Sequence, residues 1–134
     1  MPTISATELE QLAIEVFVRA GAPAADAGLV ARLLVKSNLA GHDSHGVVRI
    51  PQYVEGIATG RLRPSAPLVV SDDGPATARL RGGFNFGQVV LTRAAEMALA
   101  RSEGQPLAMV RRRPSMGTAD SWAAMPKCSP ARGA

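Results

Sequence analysis

The sequence predicts an α/β fold of the α+β kind, and three observations carry that prediction. Helical apolar stripes fill residues 5–40, two short β-rich runs flank a turn near residue 74, and another helical stripe precedes an apolar run at 106–110. Helices, a strand pair, a helix and a strand, in that order, bury their apolar faces most economically as layers.

Ser5 and Glu8 have the spacing of a capping box, in which the hydroxyl accepts from an early helix N–H and the carboxylate reaches back. Leu9, Leu12, Ala13, Val16, Phe17 and Ala20 follow at intervals of three and four, one stripe of an amphipathic helix that Gly21 is placed to stop. Pro23 suits the first turn of a second helix bearing Ala27, Val30, Leu33 and Leu34, which fades near Asn38 and Gly41. Helices this short need each other, so residues 5–40 read as a helical hairpin. Asp43 or Ser44 is expected to cap a third helix that buries Val47, Ile50, Val54 and Ile57 and ends at Gly60. Pro64 and Pro67 force an extended link. Strands are expected at 68–70 and 77–80 around an Asp72–Pro75 turn, with Gly82 and Gly83 breaking the second. A fourth helix from Phe86 or Gly87 carries Val90, Ala94, Met97, Ala98 and Arg101 to Gly104, and a buried strand follows at 106–110.

The totals narrow the class. A chain of 134 residues with 46% hydrophobic and 19% charged residues suits one small folded domain. No apolar run approaches the roughly 20 residues of a membrane helix, and the first residues lack the basic start and apolar block of a secretory signal. The single cysteine, Cys128, makes no internal disulfide and no zinc spacing, and it has no histidine nearby to activate it. A cytoplasmic location is therefore expected. The net charge of +4 is not spread through the body: residues 1–110 balance, and 111–134 hold five basic residues against Asp120 alone. Three adjacent arginines without interleaved aromatics make a poor nucleic-acid footprint, so a nucleic-acid partner is not expected.

The chemistry concentrates at residues 41–53. His42, Asp43, Ser44 and His45 stand at an expected helix start, where free N–H groups and the dipole favour an anion. Arg49, four to five residues on, can share a face with Ser44 and His45 and grip a carboxylate with its fork. An imidazole can give or take a proton as a carbonyl or imine is reduced. The same spacing also suits plain capping by Asp43 and Ser44 beside a structural histidine.

The order His42-Asp43-Ser44-His45-Gly46-Val47, then Arg49, Pro51 and Tyr53, resembles the N-terminal signature of the type-2 malate/L-lactate dehydrogenases. That family includes ureidoglycolate and sulfolactate dehydrogenases and reductases of cyclic imino acids. The resemblance runs from the first helix to about Val110 and includes the Gly87-Gln88-Val89-Val90 helix start. It implies a three-layer α/β fold distinct from the Rossmann fold, NAD or NADP as cofactor, and oligomers, commonly dimers. It also implies small 2-hydroxy, 2-oxo or cyclic 2-imino acids as substrates. By the same resemblance His45 donates a proton, Ser44 relays it, Arg49 binds the substrate carboxylate and Tyr53 lines the pocket. No Gly-x-Gly-x-x-Gly turn occurs, and Gly82-Gly83-x-x-x-Gly87 reads as a loop for close backbone packing rather than a phosphate cradle. The cofactor contacts and any metal ligands are not indicated.

The pattern then departs. The resemblance implies an Asn-x-x-His-x-Gly segment after the strand at 106–110, with a further catalytic histidine of the hydroxy-acid branch. Arg111-Arg112-Arg113-Pro114-Ser115-Met116-Gly117-Thr118 stands there instead, and the chain's two histidines, His42 and His45, lie elsewhere. Adjacent unpaired guanidinium groups are too costly to desolvate in a buried strand. Residues 1–110 are therefore expected to form the N-terminal part of such a domain. Residues 111–134 are expected to be an aberrant basic tail, of the kind a shifted reading frame in GC-rich DNA would produce. A fragment of this kind, lacking most of the cofactor region, would fold partly or associate rather than catalyse.

Overall fold

The computed structural model describes residues 3–105 and 107–113. Helix α1 spans Ala6–Arg19 and opens with the expected capping box: Glu8 N–H donates to Ser5 Oγ at 3.2 Å, and Ser5 N–H donates to Glu8 Oε2 at 3.0 Å. The Ser5 hydroxyl adds a 2.6 Å bond to the same carboxylate. These bonds, the hydroxyl's first, hold the Glu8 carboxyl below its ordinary value of 4.5. A carboxylate depressed in the folded state stabilises above its unfolded pKa, and that contribution is lost as pH falls through the lower folded value. Ser5→Ala is accordingly expected to return the Glu8 titration toward 4.5 and to fray the first turn, as read by NMR titration of the Glu8 side chain.

Both helices of the hairpin end in the same way. Beyond α1, Gly21 N–H donates to Val18 O and Ala22 N–H to Phe17 O. Helix α2 (Ala24–Leu39) is followed by Gly41 N–H donating to Asn38 O and His42 N–H to Ser37 O at 2.8 Å. This paired pattern closes a helix only if the residue just past the cap is left-handed. Gly41 has φ +78°, which a side chain would resist, and the turn delivers His42 directly off the end of α2.

Helix α3 spans Ile50–Ala58, a later start than expected. Residues 43–49 form two tight turns, Asp43–His45 and Val47–Arg49, separated by Gly46 in an extended conformation. Neither Asp43 nor Ser44 caps a helix. Pro51 gives the reason: lacking an N–H, it is tolerated only in the first turn, so the regular helix begins around it.

Among the described residues the sheet is three-stranded and mixed, in the order β1-β2-β3. Strand β1 (Val69–Gly74) pairs antiparallel with β2 (Thr77–Arg81), bringing Val70 opposite Leu80. The turn sits at Pro75-Ala76, shorter than the predicted one, because the aspartates belong to the strand and a bulge between Asp72 and Gly74 absorbs the irregularity. Helix α4 (Gly87–Ser102) then crosses to β3 (Met109–Arg113), which runs parallel to β2. The predicted strand at 106–110 is thus displaced toward the C-terminus and includes the arginines. Arg111 and Arg112 lie exposed on an edge strand, so the desolvation argument that ended the strand at Val110 does not apply to them.

Two apolar clusters hold these elements. Phe17, Val30, Leu34, Tyr53, Leu62 and Phe86 join the helical hairpin to α3 and the start of α4. Ala78 and Leu80 of β2 pack on Val90, Ala94 and Met97 of α4. The result is the α/β (α+β) arrangement of helices layered on a small mixed sheet. Leu12, Val18, Leu39 and Val48 remain exposed.

Candidate active site

The segment between α2 and α3 is shaped by one side chain. Asn38, in the last turn of α2, donates from Nδ2 to Asp43 Oδ1 at 2.6 Å and accepts at Oδ1 from Val47 N–H at 2.9 Å. The amide therefore grips both ends of the loop that carries Ser44 and His45. Gly46 lies against it, and a Cβ built on Gly46 would sit 2.5 Å from the Asn38 amide carbon. Glycine is required here for space, since φ −92° is open to any residue.

Within that loop Ser44 Oγ and His45 Nδ1 are 3.0 Å apart. The hydroxyl donates when Nδ1 is unprotonated and accepts when it carries the proton. Arg49 closes the arrangement: Nε donates to Ser44 O at 2.7 Å and Nη1 to Gln52 Oε1 at 2.9 Å. Ser44 is exposed while His45 and Arg49 are half-buried, so the hydroxyl–imidazole pair and the guanidinium held on the Ser44 carbonyl lie at the surface rather than in the core. Nη2 is the arm of Arg49 without a partner among the described residues, so the fork is restrained before any ligand arrives.

The other two residues of interest are placed differently. His42 is exposed, and its carbonyl accepts from His45 N–H at 2.9 Å. Tyr53, expected to line a pocket, is 5% exposed and packs in a triangle with Phe17 and Phe86, with ring centroids 6.1 and 5.8 Å away. Its hydroxyl accepts from Gln88 Nε2 at 2.8 Å. Gln88 is itself buried, and its Oε1 has no partner among the described residues. Tyr53 thus anchors α3 from the core side. Asn38 was missed in the sequence because an asparagine in a helix's last turn reads as part of the stop; its long-range partners become visible only in the fold.

The glycine pair at 82–83 is packed against the chain's own link: a Cβ on Gly83 would meet Ala66 Cβ at 3.1 Å and Pro67 O at 3.3 Å. Among the described residues there is no group of three or more His, Cys, Asp or Glu that could hold a metal ion, and no helix is long and apolar enough to cross a membrane.

Comparison with known proteins agrees with this architecture. The family model described as malate/L-lactate dehydrogenase matches residues 4–126, and the chain belongs to that family, whose members are dehydrogenases and reductases. It is 36% identical over 120 residues to a malate dehydrogenase of Pyrococcus abyssi, covering 88% of this chain and 33% of that protein. With an L-sulfolactate dehydrogenase of Methanocaldococcus jannaschii the identity is 33% over 104 residues, covering 78% of this chain and 30% of the relative. The fold is also similar to the crystal structure of a Δ1-piperideine-2-carboxylate reductase from Pseudomonas syringae, with a TM-score of 0.84 at 28% identity, over 92% of this chain and 37% of that one. The chain thus spans about a third of the length of the relatives it matches. The family match continues to residue 126, beyond the Val110 limit of the sequence resemblance.

Proposed function

We propose that this chain carries the acid-binding and proton-delivering part of an NAD(P)-dependent oxidoreductase acting on small 2-hydroxy, 2-oxo or cyclic 2-imino acids. The observation that carries the reading is the Ser44 Oγ–His45 Nδ1 contact of 3.0 Å, held beside an Arg49 whose Nε is fixed on the Ser44 carbonyl. Reduction at C2 delivers a hydride to carbon and a proton to the carbonyl oxygen or imine nitrogen. The hydride is the nicotinamide's to supply. The chain's own part is the proton and the carboxylate. With Nδ1 engaged by Ser44, Nε2 is the nitrogen of His45 left to give a proton, and the Ser44 hydroxyl relays its replacement. Arg49 binds the substrate carboxylate through Nη2 and its remaining Nη1 hydrogen, since Nε and one Nη1 hydrogen are committed. Tyr53 serves this site by anchoring α3 in the core. The wider expectations of a homodimer using NAD or NADP rest on family membership, and that of the cytoplasm on the sequence composition.

A second reading, a non-catalytic chain that folds partly or associates, is favoured by the apolar side chains of Leu12, Val18, Leu39 and Val48 left exposed on the helical segment. In that reading residues 1–110 are one part of a larger domain and 111–134 a basic tail. The family match through residue 126 favours family sequence over foreign sequence in 111–126, and translating the gene's alternative frame distinguishes the two.

One titration addresses both readings. Isotope-labelled chain is expected to show L-malate or pyrrole-2-carboxylate shifting the His45 and Arg49 resonances. Arg49→Ala is expected to weaken that binding about tenfold or more, because a charged hydrogen bond contributes about 1.5–3 kcal/mol. Unchanged affinity would remove Arg49 from the site. Micromolar binding of NADH, followed by nicotinamide fluorescence, would overturn the non-catalytic reading.

A further inference from the structure

We propose that Asn38 is the positioning residue of the Ser44–His45–Arg49 cluster, an inference that rests on the function proposed above. Ser44 and His45 lie in a short loop of tight turns closed by His45 N–H to His42 O, Gly46 N–H to Asp43 O and Arg49 N–H to Gly46 O, local bonds that do not tie the far end of the loop to α2. The carboxamide of Asn38 supplies the missing constraint. It carries a donor and an acceptor on one planar carbon, and here each is used on a different end of the loop. Helix α2 holds its backbone, and the turn at Gly41 and His42 fixes where the loop leaves that helix. Gly46 fits flat against the amide, so the latch and the loop are shaped to one another. Moving either end of the loop carries the Ser44 hydroxyl off His45 Nδ1 and the Ser44 carbonyl off Arg49 Nε. Asn38 touches no reacting atom in this scheme; it acts through Ser44 and His45.

The donor–acceptor polarity of the latch makes the inference testable by exchange. N38D leaves an acceptor for Val47 N–H but sets a carboxylate against that of Asp43, where the 2.6 Å contact needs a donor. In N38D/D43N the amide introduced at position 43 donates to the carboxylate introduced at position 38, and Val47 N–H still has its acceptor. The experiment uses the full chain with labelled histidine, and L-malate and pyrrole-2-carboxylate as probes. N38D is expected to displace the His45 ring-nitrogen resonances and to weaken probe binding about tenfold. The exchange variant is expected to return the resonances to their original places and affinity to within about twofold. S44A should also displace the ring resonances while leaving the Asp43 and Val47 amide signals unmoved, which separates relay from latch. Should N38D unfold by circular dichroism, D43A, which removes only the exposed arm, reads the same displacement at smaller amplitude. His45 resonances unmoved in folded N38D or D43A, or not restored by the exchange, would overturn the inference. Failure of both probes to bind the unaltered chain would instead overturn the proposed function, and the latch would then be judged on the His45 resonances alone.

Discussion

Phe17→Ala is expected to destabilise the chain by about 3–5 kcal/mol, the largest single effect any core substitution should produce here. Phe17 is fully buried, and its ring meets Phe86 edge-on at 5.6 Å and Tyr53 at 6.1 Å. Those contacts join α1 to α3 and to the start of α4, elements far apart in sequence. The void left by alanine is bordered by aromatic rings whose positions are set by separate elements, so it closes poorly. Phe17 also stands three residues before the α1 cap and takes part in its closure, since its carbonyl accepts from Ala22 N–H. Typical domains have about 5–15 kcal/mol of stability, so this loss leaves the variant near its unfolding threshold at ordinary temperature. Urea unfolding followed by circular dichroism measures it. Leu12→Ala is the control: that residue shares the same stripe but is 53% exposed, and its loss should stay within about 0.5 kcal/mol. Equal effects from the two would mean that the core is not organised around Phe17.

The contrast between Phe17 and Leu12 also shows what periodicity can and cannot read. Both fall on the apolar stripe of α1, and spacing does not rank them; packing against Tyr53 and Phe86 does. Local signals were legible where their partners are local. The Ser5–Glu8 box and the stops at Gly21, Gly41 and Gly60 are set by residues within a turn of one another, and all stand as read. The third helix start was misread because the decisive bonds run from Asn38 to Asp43 and Val47, five and nine residues away. Pro51 carried a usable signal, since a proline so close to a helix start marks its first turn. At β3 the error was to treat an apolar run as a buried strand when the order β1-β2-β3 leaves it at an edge. The site shows the same division. Ser44, His45 and Arg49 lie within six residues and are joined through Ser44, by its hydroxyl to His45 and by its carbonyl to Arg49, whereas Tyr53 bonds Gln88, 35 residues on.

Gly46→Ala is expected to be the most damaging substitution for the site itself. A methyl group there would overlap the Asn38 amide, and the amide cannot withdraw without giving up Asp43 or Val47. Forcing a carbon into a filled space costs about 1–3 kcal/mol, and a lost hydrogen bond adds about 0.5–1.5 kcal/mol. The two contributions are not simply additive, because a loop that shifts to relieve the overlap breaks the same bonds. The strain also has an outlet. The loop joins α2 to α3 at the surface, so it can peel away while the aromatic triangle beneath holds the helices together. Most of the penalty should therefore appear as local opening rather than as a matching drop in global stability. Amide exchange at Val47 is expected to accelerate by about tenfold or more, with the exchange of Leu34 and Val30 in the α2 core little changed. Binding of small dicarboxylates should be lost in parallel, as the Ser44 carbonyl no longer fixes Arg49. Uniform acceleration throughout α2 would mean instead that Gly46 supports the whole hairpin. Unchanged exchange at Val47 would show that the loop accepts a side chain, and that its contact with Asn38 does not define the site.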